Sequence, residues 1–254
     1  MEGRLSGKVI VIAGAGGIGS GLTRRYAAEG AAVVVGDLDE DGARALAAEI
    51  SEGGGKAVGT HLDGGDEASI KALVDLAVAT FGGLDGFHAN YACFKDGQSG
   101  EDILGLPLEV YDEVMHVNAR GFVLCTRAAL PPMLARGGGS MVYTTTGGAY
   151  QGEPVRCAYA MSKSAVHALV RHVARRFGPE GIRANAIAPG VIAHGRFDEV
   201  LPEEVKAALK ETNLVKAFGK PEDIAAMGAL LMADEGAFIT GQVISVDGGG
   251  LMRP

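Results

Sequence analysis

The sequence predicts a doubly wound α/β fold, with one parallel sheet of about seven strands and helices on both of its faces. Short runs rich in Val, Ile and Ala alternate with helical patterns along all 254 residues. Several of these runs are almost continuously apolar, which is typical of strands covered on both faces. Such alternation implies right-handed crossovers between parallel strands. Because no Pro- or Ser-rich linker interrupts the pattern, we expect residues 1–254 to form a single domain.

The periodicity of the apolar residues assigns the elements in order along the chain. The strands are expected at Lys8–Ala13, Ala32–Asp37, Ala57–Leu62, Gly86–Asn90, Ser140–Thr145, Ile182–Ile187 and Gln242–Val246. The helices are expected near residues 18–29, 40–52, 67–81, 107–134, 157–177 and 221–233. Ligands of such sheets bind beyond the carboxyl ends of the strands, so functional side chains are expected there.

Composition and charge argue against several classes of function. The formal net charge of -8 disfavours a nucleic acid or an anionic membrane as partner. The three cysteines are too dispersed for a disulfide framework or a zinc site, and the histidines lack ligand spacing, so no metal is expected. No apolar run is long enough to span a membrane, and the N-terminus lacks the pattern of a secretory leader. We therefore expect a cytoplasmic protein.

A glycine-rich turn follows the first predicted strand. Residues Gly14–Gly19 read GAGGIG, which fits the G-x-G-x-x-G pattern with a strand before it and a helix after it. Glycines there let the backbone approach a pyrophosphate, whose charge is stabilised by the helix N-terminus. A bare turn is the alternative in a chain with 40 glycines. The second predicted strand, however, ends in Asp37, at about the 20-residue distance typical of a ribose-binding acid.

Asp37 bears on the choice of dinucleotide. Its carboxylate can accept hydrogen bonds from an adenosine ribose, and it would repel a 2′-phosphate. Leu38 follows it, and no Arg or Lys lies in the glycine-rich turn to bind that phosphate. The sequence therefore favours NAD over NADP as cofactor. An ordinary turn residue at the end of a strand remains the alternative interpretation of Asp37.

Tyr159 and Lys163 lie four residues apart at the start of the predicted helix 157–177. Residues four apart share one helix face, so the ammonium lies beside the phenol. A nearby cation favours the phenolate and lowers the pKa of a tyrosine towards working pH. Such a tyrosine could act as a general acid/base. Taken alone, an exposed pair without function is the alternative interpretation.

These three features together resemble the short-chain dehydrogenase/reductase family, from about Leu5 to Gly249. Further motifs follow in the order of the family: His61-Leu62-Asp63, Ala89-Asn90-Tyr91-Ala92, Val117-Asn118, Asn185-Ala186-Ile187-Ala188-Pro189-Gly190, Phe238-Ile239-Thr240-Gly241-Gln242 and Val246-Asp247-Gly248-Gly249. The resemblance implies a Rossmann fold and hydride transfer between NAD(H) and a small secondary alcohol or ketone.

The resemblance also implies a catalytic set. The family's catalytic serine lies thirteen residues before the tyrosine, a position held here by Thr146, which keeps the hydroxyl and adds a methyl group. Tyr159 would exchange a proton with the substrate oxygen, and Thr146 would orient that oxygen. Lys163 would bond the nicotinamide ribose. Asn118 would fix a helix kink and a water that relays the proton.

The implied binding residues follow the ends of the strands. Cofactor contacts are expected from Gly14, Gly16, Gly17, Ile18, Gly19, Asp37, Leu38, Asp63, Gly64, Asn90, Tyr159, Lys163, Pro189, Gly190 and Ile192. The segments Phe94–Leu106 and His194–Lys216 are expected to shape the substrate pocket. The candidate substrate contacts are Tyr91, Tyr150, Glu153 and His194.

The chain departs from the family pattern around the expected site. Ala13 replaces a threonine, and the glycine-rich turn is one residue shorter. Ala92 replaces a glycine, and Tyr91 replaces a small residue, so Tyr91 either walls the nicotinamide pocket or packs in the core. His194 replaces a threonine that meets the carboxamide. A carboxamide contact, a substrate contact and a simple loop position all stay open for His194.

Two other functions stay open. An NADP-dependent reductase of the 3-oxoacyl type is opposed by Asp37 and Leu38. A non-catalytic nucleotide-sensing protein with the same fold is opposed by Tyr159, Lys163 and Asn118, but the threonine in place of serine leaves it open. By resemblance, a homotetramer joined through the helices near 119–134 and 157–177 and the C-terminal region is expected.

Overall fold

Seven parallel strands form one sheet, in the order β3-β2-β1-β4-β5-β6-β7. The computed structural model describes residues 3–96, 100–195 and 203–252. The strands are β1 (Val9–Ala13), β2 (Ala32–Asp37), β3 (Lys56–His61), β4 (Gly86–Ala89), β5 (Gly139–Thr144), β6 (Ile182–Pro189) and β7 (Val243–Val246). The predicted doubly wound α/β fold is confirmed, and each predicted strand overlaps an observed one.

Helices connect the strands on both sides of the sheet. They are α1 (Gly17–Ala28), α2 (Glu40–Glu52), α3 (Glu67–Phe81), α4 (Leu108–Val114), α5 (Gly121–Ala135), α6 (Gly148–Gln151), α7 (Cys157–Phe177), α8 (Glu203–Thr212) and α9 (Pro221–Met232). The short helix α6 and the helix α8 were not predicted, because no helix was assigned to either segment. Within the described ranges, no helix has the length and apolarity needed to cross a bilayer.

Two apolar cores cover the two faces of the sheet. In β1, Val9 and Val11 point into one core, while Ile10 and Ile12 point into the other, as the two-residue period of a strand requires. Helices α3, α5 and α7 close the first core, and helices α1, α2 and α9 close the second. Burial on both faces explains why these strands are almost continuous apolar runs.

The N-termini of the helices next to the sheet edge differ in their capping. The carboxylate of Asp39 accepts the N–H of Gly42 at 3.0 Å at the start of α2. Asp66 caps α3 in the same way, through the N–H of Ser69 at 3.1 Å. Helix α1 instead follows Gly16, which provides no side-chain cap. The first N–H groups of α1 are therefore free of a capping side chain, at the edge where ligands of this fold bind.

A π-helical turn interrupts the long helix that was predicted over residues 107–134. Helix α4 passes into this turn at Met115–Arg120 before α5 begins. Asn118 lies in the turn and is completely buried. Single π turns inside α-helices often occur at functional sites. The irregularity lies where the resemblance implied a helix kink fixed by Asn118.

Candidate active site

A cavity of about 590 Å³ opens at the carboxyl ends of the central strands. The strand order reverses between β1 and β4, and ligands of doubly wound sheets bind at such a switch point. The volume is typical of a small-molecule site. The predicted site residues that line it are Gly14, Gly16, Gly17, Ile18, Asp37, Leu38, Asp63, Gly64, Asn90, Tyr91, Thr146, Tyr159, Lys163, Pro189, Gly190, Ile192 and His194. The fold thus brings nearly all of the expected cofactor residues to one cavity.

The glycine-rich turn is held in place from both sides. Gly14 has a φ of 104°, which disfavours any residue with a Cβ. Its N–H donates to the carbonyl of Gly36 at 2.7 Å, and its own carbonyl accepts from Asn90 Nδ2 at 3.2 Å. A Cβ on Gly19 would lie 1.8 Å from that carbonyl oxygen. Gly19 does not line the cavity, but its lack of a Cβ allows the carbonyl of Gly14 to pack against α1.

Asp37 closes the side of the cavity next to β2. Its Oδ2 accepts the N–H of Ala15 at 2.6 Å, and its Oδ1 accepts the N–H of Asp39 at 3.1 Å. The neighbouring Leu38 is 70% exposed at the cavity edge. A carboxylate has about four acceptor positions, so these two bonds leave capacity for ligand hydroxyl groups.

Lys163 is buried between the cavity and the core. Its Nζ donates to the carbonyl oxygens of Thr144 at 3.0 Å and Tyr91 at 3.4 Å. It also lies 4.2 Å from the centre of the Phe122 ring and 5.9 Å from the centre of the Tyr159 ring. Burial lowers the pKa of Lys163 to about 7. The ammonium is therefore poised to change charge near neutral pH in this site.

The phenol of Tyr159 is also buried, and its acidity is governed by its surroundings. Burial raises the pKa of Tyr159 to about 12. The positive charge of Arg156 and the hydroxyl of Thr146 lower this pKa, whereas the negative charges of Glu153 and Asp96 raise it further. The sequence analysis predicted a lowered pKa for Tyr159, because Lys163 lies one helical turn away. That prediction considered the local pair alone, whereas burial has the largest effect on this pKa and outweighs the lowering by Arg156 and Thr146.

The first turn of α7 is capped by a side chain from a distant loop. Arg156 precedes the helix with a φ of 61°, and its side chain makes no cap bond. Instead, the buried carboxylate of Asp96 accepts the N–H of Tyr159 at 2.7 Å. Arg156 pairs with Glu153 at 2.7 Å, and its guanidinium lies 5.9 Å from the centre of the Tyr159 ring. Asp96 therefore ties the backbone of the tyrosine to the loop after β4.

The remaining two residues of the implied catalytic set have different positions. Thr146 lines the cavity, and its hydroxyl oxygen accepts the N–H of Gly148 at 3.2 Å. Asn118 lies behind the cavity wall. Its Oδ1 accepts the N–H of Cys93 at 2.7 Å, and its Nδ2 donates to the carbonyl of Cys93 at 2.9 Å. Asn118 thus braces the loop after β4, and a role in proton relay stays a prediction.

Tyr91 is anchored in the fold behind the cavity. Its hydroxyl donates to the carbonyl of Gly64 at 3.0 Å and lies 3.3 Å from Sγ of Cys125. Its ring packs edge-on against Phe122, with centres 5.2 Å apart. The side chain still lines the cavity, so it contributes a wall whose polar end is already bonded. Of the two interpretations of Tyr91, packing accounts for these contacts.

The other three candidate substrate residues are divided between the cavity and the surface. His194 lines the cavity and covers the start of α1, where a Cβ on Gly17 would lie 2.3 Å from the imidazole ring. Tyr150 stacks on His167, with ring centres 4.6 Å apart. Tyr150 and Glu153 are not among the described residues that line the cavity. The negative charge of Glu153 nevertheless affects the site, because it raises the pKa of Tyr159.

The cavity wall beyond Tyr159 is built by residues of the loop after β4 and of α4. The residues that line the cavity there are Cys93, Phe94, Lys95, Glu113 and Val117. The ring of Phe94 lies over Tyr159, with centres 4.8 Å apart. Lys95 pairs with Glu113 at 2.6 Å. Phe94 and Lys95 fall in the expected substrate segment Phe94–Leu106, and Val117 belongs to the Val117-Asn118 motif, but no pattern marked Cys93 or Glu113.

Parts of both expected substrate segments lie outside the described residues. Residues 97–99 fall within Phe94–Leu106, and residues 196–202 fall within His194–Lys216. The contribution of these residues to a substrate pocket therefore stays a prediction.

Comparison with known proteins identifies the family of this chain. A family profile described as enoyl-(acyl carrier protein) reductase matches residues 12–250. A "probable short-chain type dehydrogenase/reductase" of Bradyrhizobium diazoefficiens is 43% identical, over 97% of this chain and 88% of its own. An "uncharacterized oxidoreductase" of Mycobacterium tuberculosis is 41% identical, over 97% of this chain and 98% of its own. The 3-oxoacyl-[acyl-carrier-protein] reductase FabG of Thermotoga maritima is 33% identical, over 97% and 98%.

The chain belongs to the short-chain dehydrogenase/reductase family, and the resemblance seen in the sequence is confirmed. The protein is therefore an oxidoreductase of a family that uses nicotinamide cofactors. Its choice of dinucleotide and its substrate depend on this chain's own residues.

Proposed function

We propose that the protein interconverts a secondary alcohol and a ketone with NAD(H). The observation that carries this proposal is that Tyr159 and Lys163 face the same cavity as the glycine-rich turn and Asp37. One cavity thus combines a dinucleotide-binding edge with a buried proton donor. When bound, the nicotinamide supplies the site that accepts or donates the hydride.

The residues of the cavity fit a dinucleotide. Helix α1 begins without a side-chain cap, so its N–H groups can meet a diphosphate. Gly16 has open space where a Cβ would stand, which lets a ligand approach the backbone. Lys163 lines the same cavity, and by resemblance to the family it would bond the nicotinamide ribose.

Three features support NAD rather than NADP. The carboxylate of Asp37 repels a 2′-phosphate, and the exposed Leu38 offers it no positive charge. Arg24 lies with Asp37 around a smaller neighbouring depression. Both Nε and Nη2 of Arg24 are bonded to Glu49, at 2.7 and 2.8 Å. That cation is therefore engaged rather than available to a phosphate.

Tyr159 holds the proton that the reaction moves. Because burial keeps its pKa at about 12, the phenol carries its proton at neutral pH and can donate it to a ketone oxygen. In the oxidation direction the phenolate accepts the proton of the substrate hydroxyl. The hydroxyl of Thr146 lies in the same wall and can orient and polarise the substrate oxygen.

The first experiment is a parallel titration with NADH and NADPH that follows the fluorescence of the nicotinamide. The chain has no Trp, so energy transfer from tryptophan cannot serve as the signal. We expect NADH to bind more tightly than NADPH, and NAD to support oxidation of alcohols in a substrate screen. Binding of neither nucleotide would contradict the proposed function.

A second candidate function is NADP-dependent reduction of a 3-oxoacyl group on a carrier protein. It is supported by the similarity to the Thermotoga maritima reductase of that name. Asp37 and Leu38 oppose it, and the titration distinguishes the two, because tighter binding of NADPH would favour the second candidate.

We further propose that the protein is a homotetramer, as is usual in the family. Helices α5 and α7 carry partly exposed apolar side chains, including Val123 and Met161. Such side chains are suited to a contact between subunits. Light scattering with mass determination tests this proposal, and a monomer at micromolar concentration would contradict it.

A further inference from the structure

A series of hydrogen bonds, buried at the end near helix α1 and partly buried at the other, crosses the sheet from α1 to the glycine-rich turn. Oη of Tyr26 lies 2.8 Å from Nδ1 of His88, and Nε2 of His88 lies 3.0 Å from Oγ1 of Thr144. Oγ1 of Thr144 donates to Oδ1 of Asn90 at 2.9 Å, and Nδ2 of Asn90 donates to the carbonyl of Gly14 at 3.2 Å. Tyr26 and His88 are completely buried.

The donor and the acceptor of every hydrogen bond in this series follow from the last bond, the one to the carbonyl of Gly14. The carbonyl of Gly14 can only accept, so the amide nitrogen of Asn90 faces it and the amide oxygen faces Thr144. Thr144 must then use its single hydroxyl hydrogen for Asn90, and it accepts from Nε2 of His88. Nδ1 is consequently the acceptor, and the hydroxyl of Tyr26 donates to it. Each of these polar atoms has a partner, and each hydrogen bond has only one possible donor and one possible acceptor.

His88 is neutral in this arrangement. Burial lowers the pKa of His88 to about 3, so the ring stays uncharged over the ordinary working range. A proton on Nδ1 would face a hydroxyl group that already donates to the ring. Since a buried polar group is costly without a partner, the ring has one favourable orientation and one tautomer.

The far end of the chain lies under the expected cofactor site. The carbonyl oxygen of Gly14 packs against the start of α1, since a Cβ on Gly19 would lie 1.8 Å from it. The same Cβ would lie 2.9 Å from Nδ2 of Asn90. The orientation of this one peptide therefore sets how closely the turn approaches α1. Thr144 also serves the other half of the site, because its own carbonyl accepts from Lys163 at 3.0 Å.

We propose that Tyr26, His88 and Thr144 are positioning residues for the dinucleotide, acting through Asn90 on the carbonyl of Gly14. The proposal rests on the proposed function of the cavity, because it assumes that the glycine-rich turn binds a dinucleotide. Loss of these hydrogen bonds would leave the Asn90 side chain free to rotate and the glycine-rich turn free to move. A purely structural role would instead change the stability of the fold without changing dinucleotide affinity.

Substitutions at Thr144 provide a matched test. Thr144→Val has nearly the same shape but lacks the hydroxyl, whereas Thr144→Ser keeps it. Thr126→Val is the control, because Thr126 is a buried threonine on α5 whose hydroxyl bonds lie outside this chain, to Phe122 and Tyr143 at 2.8 and 2.7 Å. The dissociation constant for NADH and the melting temperature are measured for each variant.

We expect Thr144→Val to raise the dissociation constant for NADH about three- to tenfold, as loss of an ordinary hydrogen bond would. Thr144→Ser and Thr126→Val are expected to stay within about twofold of the wild type, although Thr126→Val lowers the melting temperature. An unchanged dissociation constant in Thr144→Val overturns the proposal. If that variant does not fold, Tyr26→Phe takes its place, with an expected rise of about two- to threefold and the same contradicting result.

The wild-type titration separates this proposal from the function on which it rests. A wild type that binds neither NADH nor NADPH contradicts the proposed function. If the wild type binds NADH and the folded Thr144→Val variant binds it equally tightly, only the positioning role is contradicted.

Discussion

The carboxylate of Asp37 accepts a hydrogen bond from the N–H of Ala15 at 2.6 Å. The acid proposed to bind the adenosine ribose therefore also ties the glycine-rich turn to the end of β2. Its negative charge and its acceptor role can be separated by substitution. Asparagine removes the charge but keeps an oxygen for Ala15, whereas alanine removes both.

We expect Asp37→Asn to reduce the preference for NADH over NADPH by about tenfold, because the 2′-phosphate no longer meets a negative charge. The measurement is the ratio of the two dissociation constants. Asp37→Ala is the matched comparison, and it should also weaken NADH binding because the turn loses its anchor. An unchanged ratio in both variants would show that Asp37 does not discriminate between the two nucleotides.

Tyr159→Phe removes the proposed proton donor and leaves the ring that packs against Phe94. We expect turnover to fall by about 10²- to 10⁴-fold, the usual contribution of a general acid or base. The dissociation constant for NADH should change by less than about threefold, because the phenol is only one of the expected cofactor contacts and the variant leaves the glycine-rich turn and Asp37 unchanged. Undiminished turnover on every accepted substrate would contradict the acid/base role and favour a nucleotide-sensing protein.

Asp96→Asn tests the electrostatic control of Tyr159. The negative charge of Asp96 raises the pKa of the phenol, so its removal lowers that pKa. Oxidation requires the phenolate, and the limb of its pH profile that rises with pH should therefore move to lower pH. The asparagine oxygen can still accept the N–H of Tyr159, so the start of α7 keeps its cap.

Arg156→Gln provides the control of opposite sign. The positive charge of Arg156 lowers the pKa of Tyr159, so its loss should move the same limb to higher pH. Glu153 and Lys163 also face the phenol and are unchanged in both variants. Displacement of both profiles in the same direction would be inconsistent with this account.

Lys163→Met is expected to stabilise the fold while abolishing turnover. Burial lowers the pKa of Lys163 to about 7, whereas an unfolded lysine titrates near 10.4, so the unfolded chain binds more protons between these values. The stability of the wild type should therefore rise as the pH rises from 7 towards 10. Methionine removes the free-energy cost of burying an amine that would be charged in water, and the melting temperature should therefore increase by a few degrees at pH 7.

The melting temperatures of Lys163→Met and the wild type are compared from pH 6 to pH 10. The gain from methionine should be largest at or below pH 7 and should shrink as the pH rises, because the wild type then recovers its own stability. A gain that is independent of pH would mean that the charge of Lys163 is not what the fold opposes.

Much of the fold is predictable because its elements are coded locally. The strand Ala32–Asp37 and the helices over 40–52, 67–81 and 157–177 have the bounds that the apolar pattern predicted. Buried parallel strands are continuous apolar runs, and this property does not depend on distant residues. The π turn at Met115–Arg120 was not predictable in this way, because the pattern on either side of it is ordinary helix.

The glycine-rich turn, Asp37, Tyr159 and Lys163 were likewise determined by the sequence itself, since each belongs to a short spacing pattern. Only the tertiary structure decided how these groups are tuned. Asp96 reaches Tyr159 across 63 residues, and His88 reaches Thr144 across 56. Burial, a property of the whole fold, reverses the expected direction of the Tyr159 pKa. Spacing along the chain selects the chemical groups, whereas desolvation and long-range contacts set their charge and orientation.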